Sequence, residues 1–412
     1  MNLLFATDLF PDPPHSGSAI ISYHWARALA PRHRVALLAA MPAQDGAALG
    51  RLEEAGVAVV AAGAAFLRPS GFRNALSWKP IAMQRLRLPE FQSALERAVD
   101  ACKADVIVLV GAGMGGLLMR RRLSPPVVFV PYDAESLNFR MRAREGRDAF
   151  RRAYYRVETW KWQFVETRYY PLADACVAVT ERDGEVIARG WQSAVRSRLH
   201  VIQNGVDTTH FFPLPYPEQG NRLLISGNLA SYDTAHSIGW FLRTVLPLIR
   251  RETPGATVEI VGRDPLPSLR SLTDQVEGVT LWGYVPDLRP HLARANVYVA
   301  PLLLGTGAKN RVLEAMAMGR PVVATPLAVQ GLRVQPGRHV IVATTAGEFA
   351  AAVIRLLKEE GVANQMGSAA REAVLAHHSW SVVGSHVENL LRSLLEPWTT
   401  MKGPALTVGT AR

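Results

Sequence analysis

Residues 297–326, VYVAPLLLGTGAKNRVLEAMAMGRPVVATP, hold the densest set of groups able to do chemistry. Gly305, Thr306, Gly307 and Ala308 follow an apolar run and precede a helix-forming stretch from about Lys309 to Met318. Glycines there let backbone N–H groups approach a ligand closely. A helix start presents unpaired N–H donors and about half a positive charge, and Lys309 adds a full one. A cation at a helix start opposes the dipole unless an anion sits there; a diphosphate is such an anion. On a helical wheel Val312, Leu313, Ala315, Met316, Ala317 and Met318 take almost the whole circumference, and Glu314 shares a narrow polar strip with Asn310 and Arg311. A carboxylate on so apolar a helix must be paired or face a polar cavity. One turn beyond a phosphate cradle, Glu314 is placed to accept both hydroxyls of a ribose. The competing reading is a plain Arg311–Glu314 ion pair at i, i+3.

Four other places carry chemistry. VIVLVGAGMGGLLM (106–119) contains a formal G-x-G-x-x-G at Gly111–Gly116, with Asp133 at the end of the next apolar run. That is a fair dinucleotide fingerprint, and it keeps an NAD-dependent oxidoreductase open as the alternative; otherwise it is a tight turn or an acceptor contact. Gly17, before a helical stretch with His15 and His24 nearby, suits close approach of a pyrophosphate or sugar. Asp133 and Glu135, at a strand's carboxyl end, could polarise an acceptor hydroxyl; the alternative is helix capping by Asp133 or Ser136. Finally, residues 139–170 carry nine Lys/Arg against four acids, with nine aromatics. Helical spacing sets Phe150, Tyr154, Val157 and Lys161 on one face, widened by Trp160 and Phe164. Basic residues with Trp and Tyr suit an anionic membrane surface. The alternative is a core helix with a solvated basic face. No nucleic-acid-binding module accompanies the charge.

These groups need elements to hold them. Short runs of four to eight apolar residues recur at 2–7, 35–40, 57–62, 106–111, 127–132, 176–180, 200–205, 222–227, 257–262, 279–285, 297–302 and 321–325. They do not alternate in polarity, as expected of parallel strands buried on both faces. Helical stretches lie between them, so the class is α/β. Three prolines mark 206–221 as a linker. The expected order is a doubly wound N-terminal domain (1–205), the linker (206–221), a second doubly wound domain (222–380), and a C-terminal helix crossing back with a tail (381–412). Ligands of such sheets bind at the carboxyl ends of the strands, here a cleft that the two domains face across. The chain has 412 residues, 49 % of them hydrophobic and 20 % charged, which excludes a disordered protein. Its two cysteines exclude a disulfide scaffold and fit a reducing compartment. A net charge of +11 favours anionic partners. Asp8 ends the first apolar run too early for a secretory signal, and no uncharged run reaches the length of a spanning helix. The expected location is therefore cytoplasmic, or peripheral on the inner face of the cytoplasmic membrane.

The segment 297–326 closely resembles the nucleotide-sugar site of the family 4 (group 1) retaining glycosyltransferases. HVIQNGVDTTHFFP (200–213), residues 223–265 and VTLWGYVPDLRPHLARANVYVAPL (279–302) resemble that family's domain junction, first donor-domain strand-helix-strand and base-binding region. The variant GTGAKNRVLEAMAMGRPVVATPLAVQGL is most similar to bacterial sugar transferases of exopolysaccharide and exosortase-associated clusters. The resemblance implies a GT-B fold of two Rossmann-like domains, residues 1–205 binding the acceptor and 222–380 the nucleotide-sugar donor. It implies transfer of a sugar from a nucleoside diphosphate sugar, with UDP or GDP, to a saccharide or lipid-linked acceptor hydroxyl, with anomeric retention. It places Gly17, Gly227, Asn228, Tyr284, Val285, Gly305–Lys309, Leu313 and Glu314 along the donor site, with Tyr284 and Val285 at the base; the basic pair that usually grips the diphosphate is missing at residues 227–231, which leaves the positive charge to Lys309 and Arg263. Lys309, Asp133 and Glu135 are the expected catalytic groups. Thr306 stands where the family usually has a sugar-contacting Glu, so a catalytically degenerate nucleotide-sugar binder is the other alternative. No cofactor is expected, because the nucleotide sugar is a substrate. No metal is expected either, since no Asp-x-Asp pair stands near the loop.

Overall fold

A computed structural model of the chain describes residues 1–12, 17–43, 46–62, 77–119, 123–145, 148–215, 220–305 and 310–401. The chain forms two compact units, residues 1–202 with 383–412, and residues 203–382.

The first unit is built on β1 (Asn2–Thr7), β2 (Arg34–Ala39), β3 (Val57–Ala62), β4 (Val106–Val110), β5 (Val127–Tyr132), β6 (Ala175–Ala178) and β7 (Leu199–Val201). They form one sheet in the order β3-β2-β1-β4-β5-β6-β7, and every pairing is parallel. All five residues of β4, VIVLV, are buried, because helices cover both faces of such a sheet. The helix Trp380–Met401 passes into this unit. There Glu388 receives Arg32 at 2.8 Å and Arg392 at 2.7 Å.

The second unit is built on β8 (Arg222–Ser226), β9 (Thr257–Val261), β10 (Val279–Gly283), β11 (Val297–Ala300), β12 (Val322–Ala324) and β13 (Ile341–Val342). Its order is β10-β9-β8-β11-β12-β13, again all parallel. The twelve apolar runs of the sequence correspond to β1–β12. Only β13, two residues long, carries no such run. In each unit the connections reverse direction once, between β1 and β4 and between β8 and β11. Ligands of open parallel sheets bind outside the carboxyl ends of the strands at that reversal.

Candidate functional site

In the second unit, β8 and β11 are tied at their carboxyl ends by Tyr298 and Ser226, whose hydroxyls lie 3.0 Å apart. Burial pushes the Tyr298 phenol up to about 12, and the nearby Glu314 carboxylate adds to the shift. β8 leads to Gly227, and β9 leads to Gly262. A Cβ on Gly262 would lie 1.9 Å from the Gly227 carbonyl oxygen, so only glycine lets the two strand ends run this close. The loop after β11 is pinned from both sides. The Leu303 N–H donates to Ser237 Oγ at 3.0 Å, and Thr325 Oγ1 donates to the Leu302 carbonyl at 2.5 Å. At Gly305 the chain takes φ +113°, a conformation that favours glycine, beside the Asp233 carboxylate.

The helix that follows runs Asn310–Ala317. Val312, Leu313, Ala315, Met316 and Ala317 are buried, and the polar strip is Asn310, Arg311 and Glu314. Only 12 % of the Glu314 side chain is exposed, and it accepts from Arg311 Nη1 at 2.7 Å. The i, i+3 pair is therefore present, on a carboxylate that lies mostly inside the unit. Asn310 Oδ1 accepts from Asn204 Nδ2 at 2.9 Å. The imidazole of His378 is fully buried and bonded on both nitrogens, with the Asn204 carbonyl at 3.1 Å and the Arg333 N–H at 3.0 Å. Since Nε2 accepts, Nδ1 carries the proton and donates to Asn204. Burial drives this imidazole down to about 4, so it is a neutral strut behind the start of the helix.

The expected donor residues divide as follows. Gly227, Asn228, Arg263, Tyr284, Val285 and Gly305 follow β8, β9, β10 and β11 at the carboxyl edge of the sheet. Asn228 and Arg263 are exposed, Tyr284 is 61 % exposed, and Val285 is partly buried. Leu313 is fully buried in the core with Tyr298 and Met316, so its side chain is packing. Thr306, Gly307, Ala308, Lys309 and His15 lie outside the described residues.

In the first unit the glycine loop after β4 differs from a dinucleotide cradle. Gly111 has φ +106°, and a Cβ there would lie 2.5 Å from the Asp8 carboxylate. That acid, just after β1, packs against the loop, where its charge would oppose a pyrophosphate. Burial pushes Asp8 up to about 6. The loop continues as a buried turn and a four-residue helix, Gly115–Leu118, in which Gly115 admits Met83 and Tyr170, and Gly116 admits Leu88. These glycines serve packing, which removes the motif behind the oxidoreductase reading.

Gly17 opens the helix Gly17–Leu29, and a Cβ there would meet the Tyr132 ring at 2.2 Å. Tyr132, at φ +81°, ends β5 in a strained conformation beside Asp133 and Glu135. Burial raises the Glu135 carboxyl, Arg142 and Asn138 oppose that, and the Asp8 and Asp183 charges add to it. The start of the helix Glu135–Glu145 receives acceptors from elsewhere in the unit. Asp183 accepts the Ala134 N–H at 3.2 Å, and Glu166 accepts the Ser136 N–H at 2.9 Å and the Ser136 hydroxyl at 2.5 Å. The caps arrive from helices 30 and 49 residues downstream, which no local spacing reveals.

The helix Ala149–Arg168, started by Asp148 accepting the Phe150 N–H, reverses part of its expected pattern. Lys161, placed by spacing with Phe150 and Val157, is buried in an ion pair with Glu158 at 2.9 Å. Phe150 (76 % exposed), Val157, Trp160 (65 %) and Phe164 face outward instead. Trp160 stacks on Phe164, and Trp78 meets Phe164 edge-on.

Two parallel α/β units, one carrying a buried helix with an acid beyond the switch point, define a doubly wound, two-domain class of protein. Residues 15–210 match the family described as Glycosyltransferase Family 4, and residues 220–359 match Glycosyl transferases group 1. The chain belongs to the family 4, group 1 glycosyltransferases and has their GT-B fold. Over 211 residues it is 31 % identical to a phosphatidyl-myo-inositol mannosyltransferase of Mycobacterium leprae, covering 49 % of this chain and 55 % of that protein. The match thus spans about half the length of that relative. In structure it is similar to a sucrose-phosphate synthase of Thermosynechococcus elongatus, with a TM-score of 0.68, 19 % identity, and coverage of 96 % and 100 %. It is also similar to HepE of Anabaena, solved with UDP and glucose, with a TM-score of 0.65, 16 % identity, and coverage of 95 % and 100 %.

Proposed function

We propose that the protein transfers a sugar from a nucleoside diphosphate sugar to an acceptor hydroxyl with retention at the anomeric carbon, in exopolysaccharide or glycolipid assembly. The observation that carries this reading is Glu314. It is a carboxylate held largely out of water, one turn into a buried helix that starts beyond the reversal of a parallel sheet. The carboxylate oxygens have lone pairs beyond the one Arg311 takes, which suit ribose hydroxyls. The Gly305–Ala308 amides, the helix start and Lys309 supply donors for the charge that develops on the departing diphosphate. One such preorganised donor is typically worth about 3 kcal/mol. The departing phosphate then helps remove the acceptor proton. The mannosyltransferase relative supports a phospholipid-linked acceptor, and the UDP-bound neighbour supports a nucleotide donor.

A screen of nucleotide sugars for hydrolysis or transfer tests the activity directly. Glu314→Gln is expected to weaken UDP or GDP binding at least tenfold by calorimetry, and unchanged affinity would reject the ribose role. Lys309→Ala is expected to lower turnover at least tenfold in folded protein; unaltered turnover would remove Lys309 from the reaction.

The same reading places the enzyme at a membrane surface. No helix among the described residues is long and apolar enough to cross one. The outward face of Ala149–Arg168 instead offers Phe150, Trp160 and Phe164 with exposed Arg151, Arg152, Arg156 and Arg168, while Glu158 and Glu166 are both buried. Such a face suits the boundary of an anionic bilayer. Co-sedimentation with anionic vesicles is expected at low salt and reduced in a W160S/F164S variant; no binding at any salt would sink the membrane reading.

A further inference from the structure

The helices Glu135–Glu145 and Ala149–Arg168 lie against each other and leave a cavity of about 570 Å³ along their seam. Among the described residues its lining holds Arg140, Arg144, Arg152, Arg156 and Thr159, and no carboxylate. Arg140 and Arg144 are one turn apart on the first helix, and Arg152 and Arg156 one turn apart on the second, so each pair shares a helix face. Like charges at this spacing oppose folding. Some arginines elsewhere are neutralised, as Arg51 is by Asp12 and Arg289 by Asp287. None of the four cavity arginines has a carboxylate within ion-pair distance among the described residues. Arg140 Nε is buried without an acceptor. Glu166 attracts Arg140, but its oxygens are occupied by Ser136 at the helix start, while Arg189 and Arg144 repel it.

A cavity lined by converging cations with an orphaned donor lacks only its anion. We propose that this seam is a phosphate-binding site, separate from the nucleotide-sugar residues of the second unit, that takes the phosphomonoester of a lipid headgroup or of a soluble metabolite. Guanidinium forks match the oxygens of phosphate in pairs, and four of them suit a dianion better than a single carboxylate. Thr159 donates its proton to the Tyr155 carbonyl at 2.7 Å, so recognition falls to the arginines. The inference does not depend on glycosyl transfer or on membrane binding, because a soluble phosphate would satisfy the same groups.

The test uses the full chain and two probes. Glycerol 3-phosphate is titrated calorimetrically, and vesicles of phosphatidylcholine with or without phosphatidic acid are co-sedimented. At least one phosphate probe is expected to bind, and R144Q/R152Q is expected to weaken that binding at least tenfold. Binding of UDP or GDP should stay unchanged in that variant. R151Q, outside the cavity, should retain the soluble probe. Binding of glycerol 3-phosphate assigns a metabolite; binding only to phosphatidic acid vesicles assigns a lipid headgroup. If vesicles fail while glycerol 3-phosphate binds, the membrane reading falls and this one stands. The double variant should melt no lower than the wild type, since it relieves repulsion. R144K/R152K, which keeps charge but loses the forks, should bind in between. If neither probe binds, or if R144Q/R152Q binds as the wild type does, the proposal is overturned.

Discussion

The residues that shape the candidate site do so by excluding atoms as much as by offering them. Gly262 is glycine because the Gly227 carbonyl occupies the space of a Cβ. Gly262→Ala is therefore expected to cost about 2 kcal/mol or more, the scale of forced overpacking, read as a lowered Tm with weaker nucleotide binding. An unchanged Tm would mean that the strand ends part without penalty. Gly111 similarly makes room for the Asp8 carboxylate. The wheel drawn on residues 310–318 already placed Glu314 beside Asn310 and Arg311, and the structure keeps it there. His378, Asn204, Asp183 and Glu166 were not legible, because each acts on a partner far along the chain. A lone His or Asp carries no sign of what will be folded against it.

At the scale of elements, the helix Ala149–Arg168 shows the limit of periodicity. Spacing names which residues share a face, but not which face turns inward. Here the inward face takes Glu158, Lys161, Trp162, Val165 and Glu166, because Lys161 and Glu158 neutralise each other and Glu158 also accepts the Ile81 N–H at 3.1 Å. Removing one partner strands a buried charge. Lys161→Met is expected to destabilise the first unit by about 3 to 5 kcal/mol. The double substitution Glu158→Leu/Lys161→Met should recover most of that loss in a denaturant titration. If the single variant were as stable as the double, the pair would not be holding the helix.

For the whole molecule, the two units are expected to answer pH in opposite directions. Burial raises Glu166 from its ordinary 4.5 to about 7, despite its bonds from Ser136. The folded state then holds a proton that the unfolded chain has released, so its contribution is greatest below pH 4.5 and is lost as pH rises toward 7. His378 is the reverse case, lowered from 6.5 to about 4. Its contribution is complete above pH 6.5 and is lost as pH falls toward 4. By scanning calorimetry, the stability of the wild type relative to Glu166→Gln should fall between pH 5 and 7. Relative to His378→Asn it should rise over the same range. A difference that stays flat with pH in either pair would refute the corresponding assignment. The sequence by itself determined the α/β class, twelve of the thirteen strands among the described residues and the polar strip that carries Glu314. Those properties follow from local runs of apolar residues and from helical spacing. Only the tertiary structure decided that the glycine loop packs around Asp8, that Lys161 is buried, and that four arginines line one seam. Each of these depends on chain segments meeting across the fold, and the free energy of such a meeting is written in no single segment.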